Sequence, residues 1–281
     1  MVDYVEVNGA LIAYRITGPK DAPLFITLHG GRGFGDHRSD FRAYQPLSDE
    51  FRVLSFDYRG HGQSSPTKPY TFDQIVDDVE SIRRHFSSED EGAIICGGSF
   101  GGFLAQHYAI KYPDKVRYLI LRGTAPSYHQ EEDAIKILEQ RIHKAPSFSV
   151  EMLRDKVFGR FESDLEFRLV HLAMSPLYSE KFDANAALKS CLENVYNAES
   201  HNDLYSDQEK YFDYRQDLPK VTAKTLVVVG KNDWICPPEH SEFIASRIPK
   251  AELFVVENAN HAVHLEKNKE VLAKIREFLR R

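Results

Sequence analysis

Ser99 stands in Gly97-Gly98-Ser99-Phe100-Gly101-Gly102, directly after the apolar run Ala93-Ile94-Ile95-Cys96 and before residues that continue at helical spacing. That order reads as strand, sharp turn and helix. A serine at such a turn takes a backbone conformation that only small neighbours tolerate, which accounts for Gly97 and Gly101 two residues to either side. The turn lifts the hydroxyl clear of its surroundings. It also aims the N–H of Phe100 and the start of the next helix at the space above the hydroxyl, where developing negative charge would be stabilised. By itself this pentapeptide is shared with ordinary glycine-rich turns. Two other residues complete a chemistry. Asp233 follows the run Thr225-Leu226-Val227-Val228-Val229, and His261 follows Glu252-Leu253-Phe254-Val255-Val256. A serine hydroxyl is a poor nucleophile at neutral pH, so a histidine that takes its proton and an acid that orients the histidine form the expected set. His264 is the rival base, but it falls in the first turn of the closing helix.

The elements that must position these residues alternate strand and helix. Residues 4–7 and 10–16 flank Asn8-Gly9 and predict a leading hairpin. Leu24-Phe25-Ile26-Thr27-Leu28 reads as a strand buried on both faces, opening into His29-Gly30-Gly31-Arg32-Gly33-Phe34-Gly35. That loop can present backbone N–H groups to an anion, yet it lacks the ending a nucleotide phosphate loop needs. Arg52-Val53-Leu54-Ser55-Phe56 is another buried run, ending at the polar stretch Asp57 to Ser65. Thr71 and Gln74 form a capping box for a helix carrying Phe72, Ile75, Val79, Ile82 and Phe86. Beyond Ser99 a helix runs to Tyr112-Pro113, and Val116 to Leu121 is the next strand. From about Ala125 to Asp217 the rhythm stops, and helical patterns at 131–143 and 163–173 take over. The expected division is therefore a core of residues 1–124 and 218–281 with a helical cap inserted at 125–217. In an open parallel sheet, loops at the carboxyl ends of the strands share one edge, so Ser99, Asp233, His261 and the 29–35 loop can meet there.

Composition narrows the function classes. The chain has 281 residues, 42% of them hydrophobic, enough for a sizeable buried core. A net charge of −6, a pI near 6.1 and scattered basic residues speak against a nucleic-acid or anionic-membrane partner. The cap holds 18 Asp plus Glu against 11 Lys plus Arg, so it carries the chain's negative balance. Its acidity suits either a cationic substrate or a solvated helical face. The N-terminus shows neither a basic region nor a long apolar run, and a cytosolic location is expected. Three cysteines cannot all pair, and the histidines lack metal-ligand spacing; no metal or organic cofactor is expected.

In His29-Gly30-Gly31, Asp57-Tyr58-Arg59-Gly60-His61-Gly62-Gln63-Ser64, the serine elbow, Gly230-Lys231-Asn232-Asp233 and Asn260-His261, the chain resembles the α/β-hydrolase superfamily over nearly its whole length. Within it the chain is similar to the proline iminopeptidase-like branch. The resemblance implies an α/β-hydrolase fold, a mostly parallel central sheet flanked by helices with an inserted helical cap. It also implies Ser99, Asp233 and His261 as a catalytic triad and the N–H groups of Gly31 and Phe100 as the oxyanion hole. Arg32 stands where that branch has proline. Trp234 stands where some iminopeptidases have a glutamate that holds a free amino group. Phe34, Trp234, Tyr205 and Glu199 are candidate substrate-binding residues, with Glu193 a further cap carboxylate. His29, Asp57 and Arg59 are read as organisers of their loops. The expected activity is a serine hydrolase acting on a small-molecule ester, lactone or amide through an acyl-enzyme. Release of N-terminal proline from a short peptide is the alternative, and a catalytically silent ligand receptor a second one. The oligomeric state stays open.

Overall fold

Asn8 and Gly9 both take positive φ, 49° and 76°, which turns β1 (Asp3–Val7) back on β2 (Ala10–Thr17) as an antiparallel hairpin. The computed structural model describes residues 1–281. Six further strands follow: β3 (Leu24–Leu28), β4 (Arg52–Phe56), β5 (Ala93–Gly98), β6 (Val116–Arg122), β7 (Lys224–Gly230) and β8 (Ala251–Val256). They form one sheet in the order β1-β2-β4-β3-β5-β6-β7-β8, parallel from β4 to β8. The architecture is the one the sequence leads one to expect.

Because alternate strand residues face opposite sides, the sheet builds two cores. On one side Ile94, Cys96, Ile120, Leu226 and Val228 pack with α1 (His37–Tyr44) and the C-terminal helix. On the other, Ile95, Leu119, Leu121 and Val227 pack with α2 (Phe72–Phe86) and α3 (Phe100–Lys111). Thr71 caps α2, its hydroxyl accepting the Gln74 N–H at 3.2 Å. The second core continues through Leu138, Leu153, Leu177 and Leu204 into the segment between β6 and β7. That segment carries α4 (Gln130–Arg141), a π-helical turn at Met152–Val157, α5 (Asp164–Met174), α6 (Ala184–Glu193) and α7 (Ala198–Leu204). The last two helices lie outside the sequence-based expectation. α6 has Ala184, Ala187, Leu188, Cys191 and Leu192 at helical spacing, yet it buries only Cys191 and leaves Leu188 and Leu192 exposed. After β7 come α8 (Pro238–Arg247), the single turn α9 (Val263–Glu266) and α10 (Asn268–Leu279). No helix is long and apolar enough to cross a membrane.

Loops beside the sheet edge are pinned by buried charge. The Asp57 carboxylate accepts the His37 and Gln63 N–H groups at 2.6 and 2.8 Å and binds the His37 ring at 2.7 Å. Arg59 donates to both oxygens of Asp78 on α2 at 2.6 and 2.8 Å, with each side chain almost wholly buried. Asp57 and Arg59 thus organise their loops.

Four histidines, three buried and His171 half-buried on the cavity wall, sit where a proton is unwelcome. Burial holds His61 and His201 down to about 3 and His171 and His264 down to about 4. Unfolding returns each to about 6.5, so between pH 6.5 and about 4 the unfolded chain binds more protons and stability falls as pH falls. Urea unfolding at pH 5.0 is expected to give a free energy at least about 2 kcal/mol below that at pH 7.5. Equal values would show that these rings accept protons in the folded state.

Candidate active site

Ser99 is one of four non-glycine residues with positive φ, at φ 53° and ψ −122°, directly between β5 and α3. Such a conformation costs roughly 1–3 kcal/mol and persists only when its surroundings fix it. Here the Ser99 N–H donates to the Arg122 carbonyl at 3.0 Å, continuing the ladder with β6, and the Ser99 carbonyl accepts from Gly102 and Phe103 as α3 begins. The tight turn leaves no room beneath it: a Cβ at Gly101 would overlap the Leu28 carbonyl. Phe100 is the first residue of α3, so its N–H has no partner within the helix and faces the anion-favouring end of the helix dipole.

The glycine loop after β3 lies against the serine. A Cβ at Gly30 would come within 3.1 Å of the Ser99 Cβ and 3.7 Å of its Oγ. Gly31, Gly33 and Gly35 all have positive φ, between 74° and 91°. The loop is held by His61, whose Nε2 accepts the Gly33 N–H at 2.8 Å while Nδ1 donates to the Arg59 carbonyl at 3.0 Å. Only a neutral ring can do both, and burial keeps it neutral. His29 stacks on Tyr58 at 4.1 Å, and the Tyr58 hydroxyl donates to the His29 carbonyl at 2.9 Å. His29 is thus part of the loop's scaffold.

Asp233 and His261 meet across the ends of β7 and β8. The Asp233 carboxylate is 1% exposed; one oxygen accepts the N–H groups of Ile235 and Cys236 at 3.1 and 3.0 Å. The same carboxylate accepts Nδ1–H of His261 at 2.8 and 3.0 Å, which leaves Nε2 as the ring nitrogen able to take a proton. Tyr178 packs edge-on against the imidazole at 5.5 Å. Gly123, with φ 47° at the end of β6, passes beneath the pair: a Cβ there would lie 2.9 Å from the Asp233 carboxylate. His264 is engaged elsewhere, with Nε2 3.2 Å from Asp40, which also accepts from Arg122.

Ser99 and His261 line one cavity of about 1000 Å³, walled by the sheet edge and by residues 125–217. Gly31, Phe34, Phe100 and Tyr205 line it as well, and Glu193 sits at its rim, half exposed. Trp234 and Glu199 do not. Trp234 is completely buried behind the histidine, stacked edge-on with Tyr178 at 5.7 Å, because the turn after β7 directs it into the core. Glu199 points to solvent and pairs with Lys68 at 2.9 Å. Tyr178 and Gly123 escaped the sequence reading; Gly123 carried a signal as a glycine at a strand end, Tyr178 none. No three His, Cys, Asp or Glu side chains are grouped to hold a metal ion.

A family model described as the alpha/beta hydrolase fold matches residues 23–268. The chain belongs to the α/β-hydrolase family. It is 71% identical over 279 residues to proline iminopeptidase PfmaB of Pestalotiopsis fici, covering 99% of both chains. It is 26% identical to a proline iminopeptidase of Saccharolobus solfataricus, covering 98% of this chain and 91% of that one. The meta-cleavage product hydrolase of Pseudomonas fluorescens superposes with a TM-score of 0.78 at 20% identity, covering 99% and 97%, a likeness of fold. This α/β-hydrolase is therefore a proline iminopeptidase-like member of its family.

In this hydrolase, Gly123→Ala adds a Cβ at a left-handed position, costing about 1–2 kcal/mol, and pushes on the acid behind the imidazole. Turnover of a p-nitrophenyl ester is expected to drop at least about tenfold while the fold, followed by circular dichroism, is kept. Undiminished turnover would mean that the Asp233–His261 contact is not needed.

Proposed function

We propose that this protein is a serine hydrolase that cleaves a small ester, lactone or amide through an acyl-enzyme on Ser99. The observation that carries the reading is the 2.8 Å bond from His261 Nδ1 to a buried carboxylate, in a cavity that His261 shares with a serine held at a strained strand-to-helix turn. In this scheme Nε2 of His261 takes the Ser99 hydroxyl proton as Oγ attacks the carbonyl carbon. The oxygen that gains charge is received by the N–H groups of Gly31 and Phe100, each contributing a factor of about 10² to 10³. The imidazolium, steadied by Asp233, returns its proton to the leaving group, and a water activated by the same ring hydrolyses the acyl-enzyme. Residues 125–217 act as a cap that closes over the substrate. The three cysteines are free and buried, which is consistent with a reducing cytosolic compartment.

A second reading is supported by the names of relatives. If the chain shares the substrate named for its 71% identical relative, it releases N-terminal proline from short peptides. Both readings use the same three residues and differ in what the cavity must accept.

A fluorophosphonate probe is expected to label Ser99 alone, and Ser99→Ala should abolish both labelling and turnover. Asp233→Asn should lower kcat by about 10⁴ through the wrong imidazole tautomer. A panel of p-nitrophenyl esters, lactones and proline p-nitroanilide orders the substrates. Turnover of the proline amide alone would make the second reading the right one, and no labelling at all would leave a ligand receptor.

A further inference from the structure

Arg32 is a buried cation on the cavity wall, on the residue after Gly31, and only 4% exposed. Its guanidinium carbon lies 4.0 Å from the centre of the Tyr205 ring and 5.1–5.7 Å from the rings of Phe72, Phe100, Phe103 and Phe212. One hydrogen bond is made, from Nη1 to the Leu204 carbonyl at 3.2 Å, and Nε and Nη2 have no partner. Arg32 forms no ion pair, although Glu131 and Glu209 lie near enough to feel its charge. The nearby Glu131 is held by Lys210 at 3.6 Å, and burial pushes its carboxyl above the usual range against the pull of both cations. Aromatic faces compensate part of the charge of such a group, but they leave its N–H bonds without acceptors.

The rest of the wall has the same sign. Apart from Arg32, six Arg and Lys line the cavity against four Asp and Glu, although the inserted segment as a whole is acidic. The acidic residues of that segment lie mainly outside the cavity, so its overall charge says little about the substrate.

We propose that Arg32 forms a binding subsite for a carboxylate, or an equivalent anionic oxygen, carried on the acyl half of the substrate. The planar fork of Nε–H and Nη2–H suits a two-oxygen anion, and the surrounding rings suit the apolar chain between that anion and the reacting carbonyl. A substrate with a free ammonium there would meet a buried cation that no carboxylate pairs, which turns the cavity away from amine-bearing peptides. This inference rests on acyl hydrolysis at Ser99.

The test compares three sets of p-nitrophenyl esters of equal length: monoesters of adipate and suberate, the same acids capped as methyl esters, and ω-ammonium analogues. The intact protein is expected to favour the carboxylate series in kcat/KM by about tenfold or more over the neutral one, chiefly through KM, with the ammonium series poorest. Arg32→Gln should collapse that ratio and Arg32→Lys should keep part of it. On Ser99→Ala, calorimetry with adipate should show binding that Arg32→Gln removes. Neutral and anionic esters cleaved alike by the native chain, or a preference for the ammonium series, would overturn the subsite while leaving the hydrolase standing. If no ester is cleaved and Ser99 takes no fluorophosphonate, it is the hydrolase reading that fails.

Discussion

Parallel pairing along the central strands is the constraint on which everything else in this molecule depends. Gly97 pairs with Leu28 on one side and Leu121 on the other, Leu121 with Val227, and Val227 with Leu253, so that one row of hydrogen bonds runs from β3 to β8. Each of these strands ends within a few residues of that row. Whatever follows a strand is therefore delivered to the same edge: the glycine loop after β3, the serine after β5, Gly123 after β6, the aspartate after β7 and the histidine after β8. A slip of one residue in any pair would turn the strand's side chains to the opposite core and take its loop out of register. The two apolar cores, one on each face, make such a slip unfavourable.

What is gained by that rigidity is spent at one place. The positive φ of Ser99 is unfavourable for a serine, and the Arg122 carbonyl, the first turn of α3 and a floor that admits only glycine hold it there. The neighbouring loop is held as firmly, through a neutral His61 and the Asp57 carboxylate. Ser99, the glycine loop and the Asp233–His261 pair are thus held in place by the fold itself. The same burial that fixes these groups makes Arg32 unusual. Most buried charges in this fold are paired, as Arg59 is with Asp78 and Arg122 with Asp40, whereas Arg32 is left with aromatic rings and one carbonyl.

The sheet and its edge were legible in the chain because buried strands write short apolar runs and their ends write glycine. Ser99, Asp233 and His261 each stand just past such a run, and the Thr71 cap marks a helix start by local chemistry alone. The inserted segment was less legible. α6 and α7 are short and half exposed, and the helical spacing of Ala184, Ala187, Leu188 and Cys191 in α6 rests mainly on small alanines, a weak signal. Which side chains line the cavity could not be read either: Trp234 and Tyr205 are both aromatics near the site, yet one is sealed in the core and the other faces the void. Arg32 could be noticed as a departure from a family pattern, but its lack of a paired carboxylate is a property of the folded chain.

The most direct measurement is a crystal structure of the protein after reaction with an alkyl fluorophosphonate, whose tetrahedral phosphorus imitates the attacked carbonyl. Phosphorus bonded to Ser99 Oγ, its oxygen about 2.7–3.1 Å from the Gly31 and Phe100 nitrogens and Nε2 of His261 turned to the leaving-group side, is the expected result. An adduct on any other residue, or one on Ser99 whose oxygen points away from both N–H groups with His261 out of reach, would contradict it.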